Sequence, residues 1–295
     1  MTAAATSAMP AARTRSGFGR FMRRLFLHPG AMIGTIVFLT LVVAALLAPF
    51  VAPYDWNETG VGMRLQGPSL EHLMGTDLHG RDVFSRVMAG GLYSISLGVA
   101  TIVFALAIGS SIGIFLGFMG GRVDAWGARL IDVMLGFPPI VLAILIVSML
   151  GVGLVNVVLA VGIANVPRFA RVVRGAVLVL REQLYIEAAR ALGASDMRIM
   201  LRHLLPNVTP TLVVLGTLEL GNAILSTATL SFLSLGAQPP TPEWGAMLSS
   251  GREFMRYAPW TMIFPGLALF LTVMSVNLVG DRLSQVLDPK AKDSR

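Results

Sequence analysis

Leu180-Arg-Glu-Gln-Leu-Tyr-Ile-Glu187-Ala-Ala-Arg-Ala-Leu-Gly193-Ala-Ser-Asp-Met-Arg-Ile-Met-Leu-Arg-His-Leu-Leu-Pro206 is a charged stretch set between two long apolar runs. It is too long for a turn and rich in helix formers: Ala188, Ala189, Ala191 and Leu192 all favour helix. Gly193 ends or bends that helix, because glycine accepts the left-handed conformation that follows a helix end. Ser195 is placed to cap a second short helix over Asp196–Leu204, and Pro206 to open the apolar helix beyond it. The stretch therefore predicts a helix-turn-helix elbow whose small residues allow a partner to approach closely.

The flanking sequence says where the elbow sits. A membrane-spanning helix needs about 20 apolar residues to cross a hydrocarbon core about 30 Å thick. Charge-free windows of that length cover Gly30–Ala52, Gly91–Gly121, Val133–Pro167 and Tyr257–Gly280, and Leu204–Thr241 is broken only by Glu219. Val133–Pro167 is too long for one helix and divides at Gly151–Asn156, which gives six spans. Of the 295 residues, 55% are hydrophobic and only 13% charged, about half the charge of an average soluble domain, which argues against a soluble enzyme. The formal charge of +7 does not suggest nucleic-acid binding in a chain dominated by bilayer-length apolar runs. The expected class is an all-α membrane protein of six transmembrane helices. Residues 1–29 form a tail, 30–53 the first transmembrane helix, 54–90 an extracytoplasmic segment, 91–284 a five-helix core with the elbow at 180–206, and 285–295 a second tail.

Arginine placement orients these spans, since short cytoplasmic loops collect positive charge. With both termini in the cytoplasm, 18 of the 23 Arg and Lys residues fall inside; only Arg64, Arg81, Arg86, Arg252 and Arg256 fall outside. Seven of the inner ones, Arg168, Arg171, Arg174, Arg181, Arg190, Arg198 and Arg202, belong to the elbow segment and its approach. The N-terminus is not a cleaved signal, because its first apolar run begins after 29 residues and exceeds a signal core. Residues 1–17 read as disordered. Phe18, Phe21, Met22 and Leu25 read either as a short helix on the inner leaflet or as part of a basic tail that orients the first span.

Chemistry-bearing motifs are few. Neither Lys290 nor Lys292 follows a glycine-rich phosphate loop, so ATP hydrolysis, if it drives this protein, resides in another chain. Gly109-Ser-Ser111-Ile-Gly113 matches a hydrolase elbow in form only, for none of His28, His72, His79 or His203 lies in an apolar run at similar depth. Gly109, Gly113, Gly117 and Gly121 instead recur every four residues and predict a groove for close helix packing. His72, Asp77, His79 and Asp82 have irregular spacing and no thiolate, which favours loop hydrogen bonding over a metal site. Arg81, Asp82 and Arg86 are read first as loop structure and second as contacts for a docked partner.

Glu219 is the one acid well inside a span. It faces either a solute path, where it would meet a positive group, or another helix, to which it would hydrogen-bond. Asn156, Asn165, Asn222 and Asn277 are further candidates for the same wall. Asp132 is expected to pair with Arg129 at i, i+3, and Pro138-Pro139 to kink the inner end of the third span.

Glu187-Ala-Ala, Gly193 and Leu205-Pro206 resemble the EAA signature of permease subunits in bacterial ABC importers. Gly75-Thr-Asp77, Gly80-Arg-Asp82, Ser85-Arg86, Gly236-Ala-Gln-Pro-Pro-Thr-Pro-Glu-Trp-Gly245, Gly280-Asp-Arg-Leu and Leu287-Asp-Pro-Lys290 resemble the C-type permease of the dipeptide/oligopeptide importers, over about residues 20–292. Phe169-Ala-Arg171 and Gly193-Ala-Ser-Asp196 are similar to glutathione and dipeptide permeases within it. His203 stands where the family usually has an aliphatic residue three before the proline, a departure that touches the second helix and not the docking helix.

The resemblance implies a type I ABC importer permease fold in the bacterial inner membrane. It implies that the elbow is a coupling helix, with Tyr185, Glu187, Ala188, Ala189, Arg190, Gly193, Ala194 and Ser195 against an ATPase subunit. The implied partners are a second homologous permease, two ATPase subunits, an extracytoplasmic solute-binding protein, membrane lipid and a peptide solute. ATP and Mg would bind the ATPases, leaving this chain without a cofactor or metal of its own and not catalytic by itself. A proton-coupled secondary transporter is the alternative, but it would call for several buried acids and inverted repeats, and the sequence offers one acid and no repeat.

Overall fold

A computed structural model describes residues 28–287. Phe18–Leu25, read either as an inner-leaflet helix or as a basic tail, the segment before them and the residues after Leu287 lie outside them. The described residues are helical except for connecting loops and one isolated bridge between Thr76 and Asp82. Helix α1 spans Pro29–Val51, α2 Val83–Met119, α3 Gly121–Leu135, α4 Pro139–Leu150 and α5 Leu154–Leu180. The elbow comprises α6, Leu184–Ala191, and α7, Asp196–Ile199. A π-helical turn, Met200–Leu204, then leads into α8, Leu205–Phe232. Helix α9, Trp244–Gly251, precedes α10, Trp260–Leu287.

Among the described residues, five helical stretches are long and apolar enough to cross a membrane, or six if the bent pair α3 and α4 counts as one. That pair corrects the expected third span. The chain turns by 92° at Gly136-Phe-Pro138, so Pro138-Pro139 mark a full break and not a kink. Two successive residues without amide hydrogens cannot sustain the helical ladder. Helix α4 has 12 residues and is about 18 Å long, short of the bilayer core. Helix α3 is amphipathic and carries Arg122, Asp124, Arg129 and Asp132.

The longest helix, α2, is the axis of the bundle. Ile102 and Ala105 on α2 meet Phe169 on α5 and Ala223 on α8 in one buried cluster. At one end, Val83 and Val87 pack with Ile224, Ala228, Trp244 and Ala268. At the elbow end, Ile114 and Phe118 pack with Val173, Val177, Val208 and the elbow's own Ile186, Ile199 and Leu204. Ile33, Ile36, Leu39, Val43 and Phe50 on α1 stay exposed, as expected for side chains facing lipid tails.

The glycine stripe has three members on α2. A Cβ on Gly109 would stand 2.6 Å from Phe169 Cβ, one on Gly113 2.6 Å from the Ala170 carbonyl, and one on Gly117 2.9 Å from the Arg174 carbonyl. Glycine is what lets the backbones of α2 and α5 come this close. Gly121 is a correction. Helix α2 stops at Met119, Gly120 and Gly121 have positive φ, and nothing lies within 4 Å of where a Gly121 Cβ would be.

Several expected boundaries also shift. Val83–Gly90, assigned to the extracytoplasmic segment, form the first two turns of α2. The first residues of the second tail continue α10 as far as Leu287. The expected separate helix over Asp196–Leu204 runs without interruption into α8 through the π-helical turn, in which His203 sits.

Candidate functional site

The elbow is built as a two-sided lever. After α5, Leu180 and Arg181 turn the chain and Gln183 starts α6. Apolar periodicity points Ile186 inward, where it is wholly buried, with Ile199 and Leu204 beside it in the cluster shared with α2, α5 and α8. Leu184, Tyr185, Glu187, Ala188 and Leu192 are exposed, Leu192 at 88%. Among the described residues Glu187 has no ion-pair partner. The Arg190 guanidinium lies 5.0 Å from the centroid of the Phe118 ring, tying α6 to the end of α2 through a cation–π contact. Tyr185 and His203 rings stand 6.5 Å apart across the elbow.

Gly193 closes the turn with φ +80 and open space around it. Its amide donates to the Arg190 carbonyl, and the Ala194 amide to the Ala189 carbonyl at 3.0 Å, the paired bonds that satisfy orphan carbonyls at a helix end. Ala189 and Ala194 are half-buried beneath the turn. Ser195 occupies the N-cap position of α7 and is exposed, but its hydroxyl makes no capping bond.

A second constellation lies within the membrane-spanning helices. Arg168 Nη2 stands 2.8 Å from Glu219 Oε1, and Asn222 Nδ2 donates to Glu219 Oε2 at 3.1 Å. Both charged residues are about 20 Å from the ends of α5 and α8 that lie opposite the elbow. Of the two readings of Glu219, an interhelical partner is present, and it is an arginine. The pair is lopsided: the Glu219 side chain is 4% exposed and that of Arg168 54%. Asn222 is exposed beside them. Asn165, one turn before Arg168, donates to the Val161 carbonyl of its own helix at 2.8 Å. Asn156 bonds the Leu150 and Gly151 carbonyls and so closes the α4–α5 turn. Asn277 lies against Gly221, at the contact of α8 with α10.

Arg168, Arg171 and Arg174 were counted with the elbow segment, yet all three lie within α5. What permits this is an acid on a neighbouring helix for each. Arg171 pairs with Asp132 and Arg174 with Asp124, both on α3, the second with Nη2–Oδ2 at 2.7 Å. The expected Asp132–Arg129 pair is therefore replaced: Asp132 takes Arg171, and Arg129 stacks 4.8 Å over Trp126. The signal in the sequence was the spacing of Arg168, Arg171 and Arg174, which puts three arginines on one side of one helix.

At the end opposite the elbow, the former metal candidates form a hydrogen-bonded frame. His72 Nδ1 and Asp82 Oδ1 are 3.0 Å apart and both residues are buried. Asp82 also accepts from the Ser85 amide at 2.8 Å, which caps α2. Asp77 accepts from Arg81 Nε at 2.7 Å, and Arg86 donates to the carbonyls of Trp56 and Pro240. Among the described residues no group of three His, Asp or Glu could hold a metal. Ser111 donates to the Ala107 carbonyl at 2.7 Å, as a helix serine does, and has no base beside it.

Sequence reading missed Glu243. It is wholly buried, caps α9 by accepting from the Gly245 and Ala246 amides at 3.0 and 2.9 Å, and receives the Ser94 hydroxyl at 3.2 Å. Burial pushes its carboxyl above the usual range, against those bonds. The available signal was an acid directly before Trp244 and after three prolines in five residues, a helix-start pattern.

Comparison with known proteins agrees with this architecture. Residues 109–293 match the family described as "Binding-protein-dependent transport system inner membrane component", and residues 16–68 match the "N-terminal TM domain of oligopeptide transport permease C". The chain is 48% identical over 297 residues to the glutathione transport system permease protein GsiD of Escherichia coli O6:K15:H31, covering 98% of this chain and 97% of that one. It is 47% identical to GsiD of Shigella boydii serotype 4, with the same coverage. In fold it is similar to a chain of the inward-facing MetNI methionine ABC transporter, with TM-score 0.55 and 21% identity over 69% of this chain and 96% of that one. The relatives are transport permeases, membrane components and not catalysts. The chain belongs to the binding-protein-dependent transport system inner membrane component family and is a multi-pass permease subunit of an ABC importer of the dipeptide/oligopeptide type.

Proposed function

We propose that α6 and the Gly193 turn are the coupling element, docking on an ATPase subunit that binds ATP and Mg and carrying its motion into the bundle. The observation that carries this reading is the elbow's division into two faces. Leu184, Tyr185, Glu187, Ala188 and Leu192 are exposed, while Ile186, Ile199 and Leu204 are locked against α2, α5 and α8. A force applied to the first face moves three helices together, because close-packed interiors transmit displacement instead of absorbing it. Nucleotide binding in the ATPase then biases two access states of the membrane helices.

In this reading the elbow and both termini face the cytoplasm, in keeping with the excess of arginine there. Two ATPase subunits, a second homologous permease and an extracytoplasmic solute-binding protein complete the importer. The solute is a short peptide, with glutathione the first to try, a choice supported by the similarity to the GsiD permeases. Glu219, Asn222 and Asn165 belong to the wall of the path between the two permeases. A charged pair at that depth is tolerated where it meets water or another protein, not lipid.

The test is cross-linking in native membranes. The chain has no cysteine, so Leu192→Cys is a single probe. It is expected to capture an ATP-hydrolysing subunit, and Leu70→Cys at the opposite end is not. Capture from position 70 and not from 192 would reverse the orientation and overturn the coupling role.

A further inference from the structure

We infer that Arg168 is the carboxylate-binding point of the solute path. The inference rests on the path reading above and changes its polarity. The sequence drew attention to Glu219 as the group that would meet a positive end of the solute. The structure puts Glu219 behind Arg168: the acid is 4% exposed and the guanidinium 54%. What the wall presents is the cation.

Three observations carry this. First, a half-exposed guanidinium about 20 Å from the helix ends cannot be left in lipid, so it faces water, a ligand or another protein, as it would on a path between two permeases. Second, Glu219 holds it through Nη2, and a guanidinium has five N–H donors in a planar fork, so an edge remains for a second carboxylate. Third, the neighbouring Asn222 is exposed and already gives its amide to Glu219, so it does not compete for that edge. Arg171, whose side chain is as exposed as that of Arg168, and Arg174 lie nearer the elbow end of α5 and are held on acids of the amphipathic α3, not of a spanning helix. The ligand class that fits is a small molecule with a free carboxylate, as at the C-terminus of a peptide.

The absence of cysteine permits a direct test of local charge. Asn222→Cys is introduced into the complete transporter in membrane vesicles. It is treated with methanethiosulfonate reagents of similar size, one bearing a sulfonate and one a trimethylammonium. After normalisation to a free thiol, the sulfonate reagent is expected to react about threefold faster, because the exposed guanidinium outweighs the buried, already paired Glu219 carboxylate on the water side. Adding Arg168→Gln together with Glu219→Gln should remove the preference without stranding a buried carboxylate, and Arg168→Lys should keep it. A tripeptide with a free C-terminus should slow labelling, and its C-terminal amide should not.

Labelling without charge preference, or a preference that survives in the double variant, overturns the role of Arg168 and leaves the path reading intact. Equal protection by acid and amide also overturns the role. No reaction with either reagent in any nucleotide state overturns both, since the position would then be sealed from water.

Discussion

The Arg168 guanidinium and the Glu219 carboxylate meet at 2.8 Å across the contact of α5 with α8, inside the membrane-spanning part of the chain. Each side chain makes the other tolerable there. A lone charge at the centre of a membrane helix costs about 3 kcal/mol on insertion scales.

This pairing has a thermodynamic signature. Arg168→Ala should lower the stability of the purified complex by about 3 kcal/mol, because it strands a buried carboxylate. Arg168→Ala combined with Glu219→Ala should cost less than Arg168→Ala alone. Thermal unfolding of the four corners of this double-mutant cycle measures the coupling, and simple additivity would rule the pair out as a unit.

The glycine stripe predicts a contrast. Gly113→Val on α2 should destabilise by roughly 1–3 kcal/mol or more, since its side chain would enter the backbone of α5. Gly175→Ala on α5 meets nothing within 4 Å and should be neutral or stabilising by about 0.4–1 kcal/mol, through a less flexible unfolded chain. Melting temperatures of the two variants in detergent decide this, and a Gly113→Val protein as stable as wild type would contradict the packing.

Glu243 predicts a pH dependence. Its native carboxyl is held above the ordinary value of 4.5, chiefly by burial, so the folded protein binds this proton more tightly than the unfolded chain does. In the window between the ordinary value and the raised native one, stability should therefore increase as pH falls and decrease as pH rises. Glu243→Gln should flatten that slope, at some loss of stability because its amide faces the Ala246 N–H. An unchanged slope in chemical-denaturation series across pH would show that Glu243 does not titrate there.

What could be read from sequence alone was what is encoded locally. The apolar windows located the spans, and Gly193 marked the turn of the elbow, because length, apolarity and a glycine φ are properties of short segments. The misreadings of charged residues share a cause: each depended on a residue distant in sequence. Arg168, Arg171 and Arg174 looked like loop residues until Glu219, Asp132 and Asp124 were brought beside them. Asp132 has Arg129 one turn away, yet the fold offers it Arg171 instead. Arg86, read first as loop structure, is held in the loop by the Trp56 and Pro240 carbonyls. Pro138-Pro139 signalled a bend, and two successive residues without amide hydrogens make it a full break of 92°.

The coupling role of the elbow is tested most directly at Gly193, with uptake and ATP hydrolysis measured together in proteoliposomes holding the complete transporter. Position 193 has φ +80 and no neighbour within 4 Å of an added Cβ, so added bulk meets nothing, and the backbone conformation and the amide bond to the Arg190 carbonyl decide the outcome. Gly193→Asn, which tolerates that conformation, should retain most uptake; Gly193→Ala should retain less. Gly193→Pro, whose ring fixes φ near −65°, should insert normally and lose solute-stimulated uptake. Full uptake by a correctly inserted Gly193→Pro transporter would contradict the account.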